Sequence, residues 1–364
     1  MRNTRNSLRF QTWCFFALSI PGAFGFGESQ KFLVVSSPAT GHVAYLKLPS
    51  DGSPATATGQ AMKTLISSEL VFPQGIAIDD HRGRLFVADP NKTGLVMYSI
   101  SSNGDTLSVG SPKIVASGVQ TRAVAVDALG NAVFSDEPTN RLMRVSAQMI
   151  NEGKTTPEVL YDGASVSSVK SPGGPRTQRC TADLARKMVV HVRESALNIE
   201  QHFGDHSGVA SDNYFVYWLN KAGTAQAGTL NRGLQYGTAQ SLLNASKGIQ
   251  MLANNALKCY GVCLAAGHIF YTDEASNLYG INRAATSRHV VTTISSQLQA
   301  PRGCVHDGAG TVYVADKSQN AVFYFASNMQ MLEPNRPLVK AAELQGAFGL
   351  AMFDAGYRSP GLLR

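Results

Sequence analysis

One pattern restricts the fold of this 364-residue chain more than any other: a short β-type run ends on a polar residue, turns, and is followed by a second alternating run. Five segments show it. They are Leu85-Phe86-Val87-Ala88-Asp89, Ala132-Val133-Phe134-Ser135-Asp136, Val216-Tyr217-Trp218-Leu219-Asn220, Ile269-Phe270-Tyr271-Thr272-Asp273 and Val312-Tyr313-Val314-Ala315-Asp316. Following runs such as Gly94-Leu95-Val96-Met97-Tyr98 and Asn320-Ala321-Val322-Phe323-Tyr324 complete hairpins. Upstream of most hairpins lies a third apolar run containing Gly, as in Pro73-Gln74-Gly75-Ile76-Ala77-Ile78-Asp79 and Pro301-Arg302-Gly303-Cys304-Val305-His306-Asp307. Thr121-Arg122-Ala123-Val124-Ala125-Val126-Asp127 has Ala in the Gly position.

Repeats of this length built from short strands predict an all-β fold, a β-propeller. The ends of the chain set the blade count. Phe32-Leu33-Val34-Val35-Ser36 matches the Asp89 hairpin, with Ser36 in the Asp position, but lacks a preceding Gly-containing strand. That strand stands at the other end, as Phe348-Gly349-Leu350-Ala351-Met352-Phe353-Asp354. The expectation is a six-bladed ring closed by the C-terminal strand completing the N-terminal blade, which leaves no open sheet edge.

The steps between successive strand ends from Ser36 are 53, 47, 84, 53 and 43 residues, and only the 84 is out of line. Within it, residues 175–208 carry nine charges in 34 residues, denser than the 16% of the whole chain. Removing them joins Gly173-Gly174 to Val209 and restores a normal repeat. They are read as an insertion in blade 4, either non-obligatory coding sequence or a surface helix around 182–199. The propeller then spans 28–357, with 358–364 as a tail.

Composition agrees: 44% hydrophobic residues suffice for a core, while 34 Gly and 15 Pro in a charge-poor chain disfavour a helical bundle. Residues 1–27 read as a signal peptide: Arg2, Arg5 and Arg9 precede the apolar run 12–20, and small residues end at Gly27. The expected location is the secretory pathway, extracellular or in an organelle lumen, with no membrane association after cleavage. Without the three leader arginines the formal charge of +7 falls to +4, with no basic cluster suited to nucleic acid. Cys180, Cys259, Cys263 and Cys304 remain; a disulfide between Cys304 and either Cys259 or Cys263 is open, as are buried thiols. Asn91-Lys92-Thr93 and Asn244-Ala245-Ser246 are glycosylation sequons.

The Pro-x-Gly-Ile-Ala-Ile-Asp start with the Phe-Val-Ala-Asp end resembles NHL-repeat propellers. Phe270-Tyr271-Thr272-Asp273 and Tyr217-Trp218-Leu219-Asn220 are similar to the YWTD motif of lipoprotein-receptor propellers. The resemblance covers residues 31–357 apart from 175–208. It implies the six-bladed fold, a scaffold shared by lactonases, lyases, strictosidine-synthase-like proteins and binding modules.

Asp89, Asp136, Asn220, Asp273 and Asp316 are read as structural turn caps, since an Asp after a strand accepts N–H groups of the turn. Resemblance to gluconolactonase-like propellers would imply a central divalent metal held by a Glu, two Asn and an Asp. The Glu-Gly-Pro-x-Trp opening is not found. His306 alone on an innermost strand is not a zinc site, and Cys180, His191, His202 and His206 lack the CxxC that would make one. No catalytic residue and no resident metal are assigned; calcium in the central channel is the one cofactor kept open.

The residues just before each innermost-strand Gly crowd one mouth of the channel. They are Gln74, Arg122, Gly173, Arg302 and Phe348, with Lys258 or Tyr260 in the fifth blade. Gln74, Arg122, Lys258 and Arg302 are the candidate ligand site, suited to an anion; a solvated rim is the competing reading. The expected function is a monomeric binding module for a protein, a glycan or a small anionic ligand. The alternative is a metal-dependent hydrolase or lyase with its site in the central channel.

Overall fold

The computed structural model describes residues 30–55, 61–162, 206–220, 228–235, 249–284, 290–327 and 331–357. The leader 1–27, Gly173, Cys180, His191, His202, Asn244, most of 175–208 and the tail 358–364 lie outside them. The described strands form six antiparallel sheets, and each innermost strand contacts the innermost strands of its two neighbours around a closed ring. The fold is a six-bladed β-propeller.

Blade 1 joins the two ends of the chain in the order Leu350–Asp354, Lys31–Ser37, His42–Lys47 and Lys63–Ile66. Val34 opposes Ala351 and Lys31 opposes Asp354, which is the expected closure. The innermost strands of blades 2 to 6 are Ile76–Asp79, Val124–Val126, His206–Ser211, Cys259–Ala265 and Pro301–His306. In blade 2 the long strand Gly94–Asn103 outruns its sheet and pairs its far end with Thr106–Val109. Ala147–Asn151 is the one α-helix among the described residues, capped by the Ser146 hydroxyl accepting from Met149 N–H.

Burial on both faces explains the near-continuous apolar runs. Successive side chains of a strand point to opposite faces. Leu85 and Val87 therefore enter the core between blades 1 and 2, while Phe86 and Ala88 enter that between blades 2 and 3. Six such clusters seal the six junctions. Trp218 stacks on Tyr161 between blades 3 and 4 with ring centroids 5.3 Å apart.

The closure register corrects one sequence assignment. Val35 opposes Leu350 and Ser36 N–H donates to Gly349 O, just as Ile76 opposes Val87 and Ala88 N–H donates to Gly75 O. Ser37, not Ser36, thus occupies the Asp89 position, and Ser36 corresponds to Ala88. The slip has consequences because adjacent residues on a strand face opposite ways. Ser37 Oγ caps its turn through Thr40 N–H, whereas Ser36 Oγ points into the ring described below.

The strand-end carboxylates bind backbone. Asp89 accepts from Val71, Phe72 and Asn91 N–H at 2.7, 3.0 and 3.0 Å. Asp316 accepts from Gln299, Ala300, Ser318 and Gln319 N–H. Asp136 takes Gln120 N–H, and Asp273 takes Leu257 and Asn277 N–H with the Tyr279 hydroxyl. Each thereby fastens its own turn or the segment leading into its innermost strand. Asn220 is buried beside Thr229, to whose hydroxyl its amide donates. A second set that sequence reasoning left without a role, Asp79, Asp127, Asp212 and Asp307, caps the turns at the other end of the innermost strands.

Candidate functional site

The channel mouth is built on a ring of small residues. Gly75, Ala123, Gly208, Gly261, Gly303 and Gly349 occupy equivalent places, one per blade, and line one cavity of the channel together. A Cβ on Gly75, Gly208, Gly261, Gly303 or Gly349 would lie 2.7, 2.6, 2.2, 2.7 or 2.1 Å from the carbonyl oxygen of Arg122, Tyr260, Arg302, Phe348 or Gln74 in the next blade. Glycine is required here by close approach of backbones, not by dihedral angle. In blade 4 the place is filled by Gly208, and the innermost strand begins at His206.

Hydrogen bonds tie this ring together in two ways. Gly75 and Gly303 N–H donate directly to Arg122 O and Phe348 O of the next blade, at 2.9 and 2.8 Å. In blades 1 and 5 a hydroxyl intervenes. Gly349 N–H donates to Ser36 Oγ, which donates to Gln74 O; Gly261 N–H donates to Thr272 Oγ1, which donates to Arg302 O. The direct blades carry Ala88 and Ala315 where the bridged blades carry Ser36 and Thr272.

The residues that directly precede the small ring are Gln74, Arg122, Tyr260, Arg302 and Phe348, of which Tyr260 and Phe348 line the channel itself. Tyr260, not Lys258, precedes Gly261; Lys258 lies two residues earlier at a bend with φ +47°. The cations are not bare. Arg122 Nε is 2.5 Å from Glu137 Oε2, and Lys258 Nζ is 2.9 Å from Glu274 Oε2. Tyr260 donates its hydroxyl to Glu274 at 3.2 Å. Arg302 differs: it is 9% exposed, and its guanidinium lies 3.7 Å from the Tyr260 ring centroid and 5.8 Å from that of Phe348. Its Nη1 donates to Pro301 O at 2.8 Å, while Nε is buried without an acceptor among the described residues. Burial lowers the Arg302 pKa, and Lys258 holds the Glu274 carboxyl low. Sequence reasoning missed the two glutamates. Their signal was local: each directly follows a strand-end Asp, as Asp136-Glu137 and Asp273-Glu274.

Beneath the mouth the throat encloses about 90 Å³, lined by Ile76, Val124, Val209, Val262, Cys304 and Leu350. Farther along, the opposite mouth presents Ile78, Val126, Ser211, Leu264, His306 and Met352. Calcium takes 6–8 oxygen ligands; the described side chains lining the channel bring two hydroxyls to it, those of Tyr260 and Ser211, and no carboxylate. No group of three His, Cys, Asp or Glu side chains is placed to hold a metal among the described residues. His306 is half-buried 3.9 Å from Asp307, and burial lowers its pKa. Cys263 and Cys304 form a disulfide joining the innermost strands of blades 5 and 6. Burial raises the Cys259 thiol in the neighbouring core. Asn91 is exposed in its hairpin turn. No described helix is long and apolar enough to cross a membrane.

No protein-family model matches the chain, and no curated protein matches it in sequence. Solved structures match it in fold. A chain of the nidogen/laminin complex superposes with TM-score 0.56 at 14% identity, covering 89% of this chain and 99% of that one. A gluconolactonase from Xanthomonas campestris gives 0.52 at 13%, covering 83% and 89%. A protein from Lactobacillus plantarum gives 0.51 at 11%, covering 89% and 99%. At such identities the likeness is one of fold, and the NHL- and YWTD-like repeats are those of a six-bladed β-propeller.

Proposed function

We propose that this chain is a binding propeller that engages a protein partner at the mouth formed by its small-residue ring. One observation carries the reading: Arg302 is held nearly buried against Tyr260 and Phe348, with Nε lacking an acceptor among the described residues. Arg and Tyr dominate the energetic centres of protein interfaces, where desolvated anchors are ringed by weaker polar contacts. Arg122–Glu137 and Lys258–Glu274 supply such a rim, while Gln74 is buried at 6% exposure. The acceptor for Arg302 is a carboxylate or carbonyl of the partner, which narrows the anionic-ligand expectation to one group. A propeller chain in a nidogen/laminin complex is a precedent for protein binding on this scaffold. An extracellular or lumenal setting belongs to the same reading and rests on residues 1–27.

The test is affinity capture from conditioned medium with the full secreted chain and with Tyr260→Ala/Arg302→Gln. A protein retained stoichiometrically by the first and lost by the second is expected. Identical retention by both refutes the site. Elemental analysis of the same preparation runs alongside. Stoichiometric calcium or zinc together with turnover of a lactone or ester would replace the binding reading with the enzymatic one.

A further inference from the structure

A second polar site lies away from the channel, in the crevice between blades 2 and 3. Its walls are Arg84 and Met97 of blade 2, Lys113–Val115 on that blade's outermost strand, and residues between Ile150 and Thr155, at the end of the short helix and just beyond it. The crevice encloses about 310 Å³, and its lining includes three cationic side chains, Arg84, Lys113 and Lys154, and no carboxylate. The loop is fastened across the crevice, with Ser117 N–H donating to Thr155 O at 2.9 Å.

The charges here are less satisfied than those at the mouth. Arg84 Nη2 donates to Asn151 Oδ1 at 2.5 Å, but Nη1 is buried with no acceptor among the described residues. Burial lowers the Arg84 pKa, and the Asp79 charge opposes that shift. Lys113 makes no ion pair among the described residues, and Lys154 meets only Glu152, a pair 66% and 38% exposed and therefore weak. A buried donor without a partner is costly, and a charged one more so. An oxyanion entering the crevice would accept from Nη1 and draw both ammonium groups onto its remaining oxygens. Guanidinium and ammonium donors around a tetrahedral anion form charge-assisted bonds about twice as strong as neutral ones.

We propose that the crevice lined by Arg84, Lys113 and Lys154 binds the tetrahedral oxyanion of a phosphate or sulfate monoester. Arg84 fixes the anion from within, the two lysines close over it, and the apolar sides of Met97, Val115 and Ile150 accept the esterified group. This site is independent of the channel mouth.

The experiment titrates the full chain with phenyl phosphate and, separately, phenyl sulfate by calorimetry at low ionic strength, with phenol as the uncharged control. Saturable 1:1 binding of at least one ester, weakening as salt is added, is expected, and the tighter ester identifies the source. Arg84→Gln is expected to weaken it at least tenfold. Lys113→Gln/Lys154→Gln, both at exposed positions, is expected to do the same without touching Arg84, and serves should Arg84→Gln not fold. Tyr260→Ala/Arg302→Gln is expected to leave it unchanged. No saturable binding of either ester overturns the proposal, as does equal affinity in the lysine variant.

Discussion

Replacing Thr272 by Val tests the hydroxyl bridges that complete the ring. The Thr272 hydroxyl accepts from Gly261 N–H at 2.9 Å and donates to Arg302 O at 2.7 Å, and all three groups are buried beside the channel. Valine has nearly the same shape but satisfies neither neighbour. Each stranded buried group costs about 1–3 kcal/mol. The added methyl returns about 0.8 kcal/mol of apolar burial. The net expectation is a loss of roughly 1–5 kcal/mol. Thr272→Ser keeps the hydroxyl and is expected to stay within about 1 kcal/mol of the parent. Urea unfolding followed by Trp fluorescence reports the difference, since Trp218 is fully buried in the ring. A midpoint for Thr272→Val matching the parent, at unchanged slope, would show that the hydroxyl does not hold blades 5 and 6 together.

Three further outcomes follow from the same geometry. Gly261→Ala places a Cβ 2.2 Å from Arg302 O and 2.7 Å from the Gly303 Cα, so it is expected to cost more than about 3 kcal/mol, read as a lowered Tm; a neutral effect would mean the blades separate freely. Cys263→Ser/Cys304→Ser opens a cross-link of sequence separation 41 and is expected to lower stability by up to about 4 kcal/mol through the unfolded chain, measured by denaturant titration; equal midpoints with and without reductant would refute this. Asp80 is held by burial, and secondarily by the charges of Asp354 and Asp79, at a pKa raised to about 7 despite accepting Asp354 N–H. The folded state therefore keeps a proton that the unfolded chain releases near pH 4, and stability falls as pH rises from there to about 7. Asp80→Asn is expected to raise Tm at pH 8 and leave it nearly unchanged at pH 4; a larger gain at pH 4 would reverse the assigned sign.

The hairpins and the terminal closure were legible in the sequence because they rest on local alternation of side chains buried on both faces. Register was less legible. Val34-Val35-Ser36-Ser37 offers two serines, and only the pairing of Val35 with Leu350 chooses between them. In the fifth blade Lys258-Cys259-Tyr260-Gly261 has no leading Pro, and an irregularity between Cys259 and Val262 obscures the alternation. At the mouth the sequence located Arg122 and Arg302 but not what surrounds them. Arg122 meets Glu137 across a hairpin, and Arg302 meets Tyr260 from another blade. The hydroxyl bridges were hidden for a related reason: Ser36 and Gln74, or Thr272 and Arg302, are neighbours only after two blades have docked. The lysine and arginine of the blade 2–3 crevice are likewise 29 residues apart in a chain whose repeat alone suggested no reason to pair them.

Blade 1 also sets a schedule for biosynthesis. Its strand Lys31–Ser37 must wait for Leu350–Asp354, whose codons are read more than 300 positions later. At 5–20 residues per second the interval is roughly 15–65 s. Throughout it the nascent chain offers an unpaired strand edge and the apolar flanks of blades 1 and 6. Vectorial folding can assemble the middle blades in turn, but the ring is sealed only once Leu350–Asp354 has been made. A nascent chain stalled before Phe348 therefore leaves five finished blades and an open seam, the form a chaperone would be called on to shield.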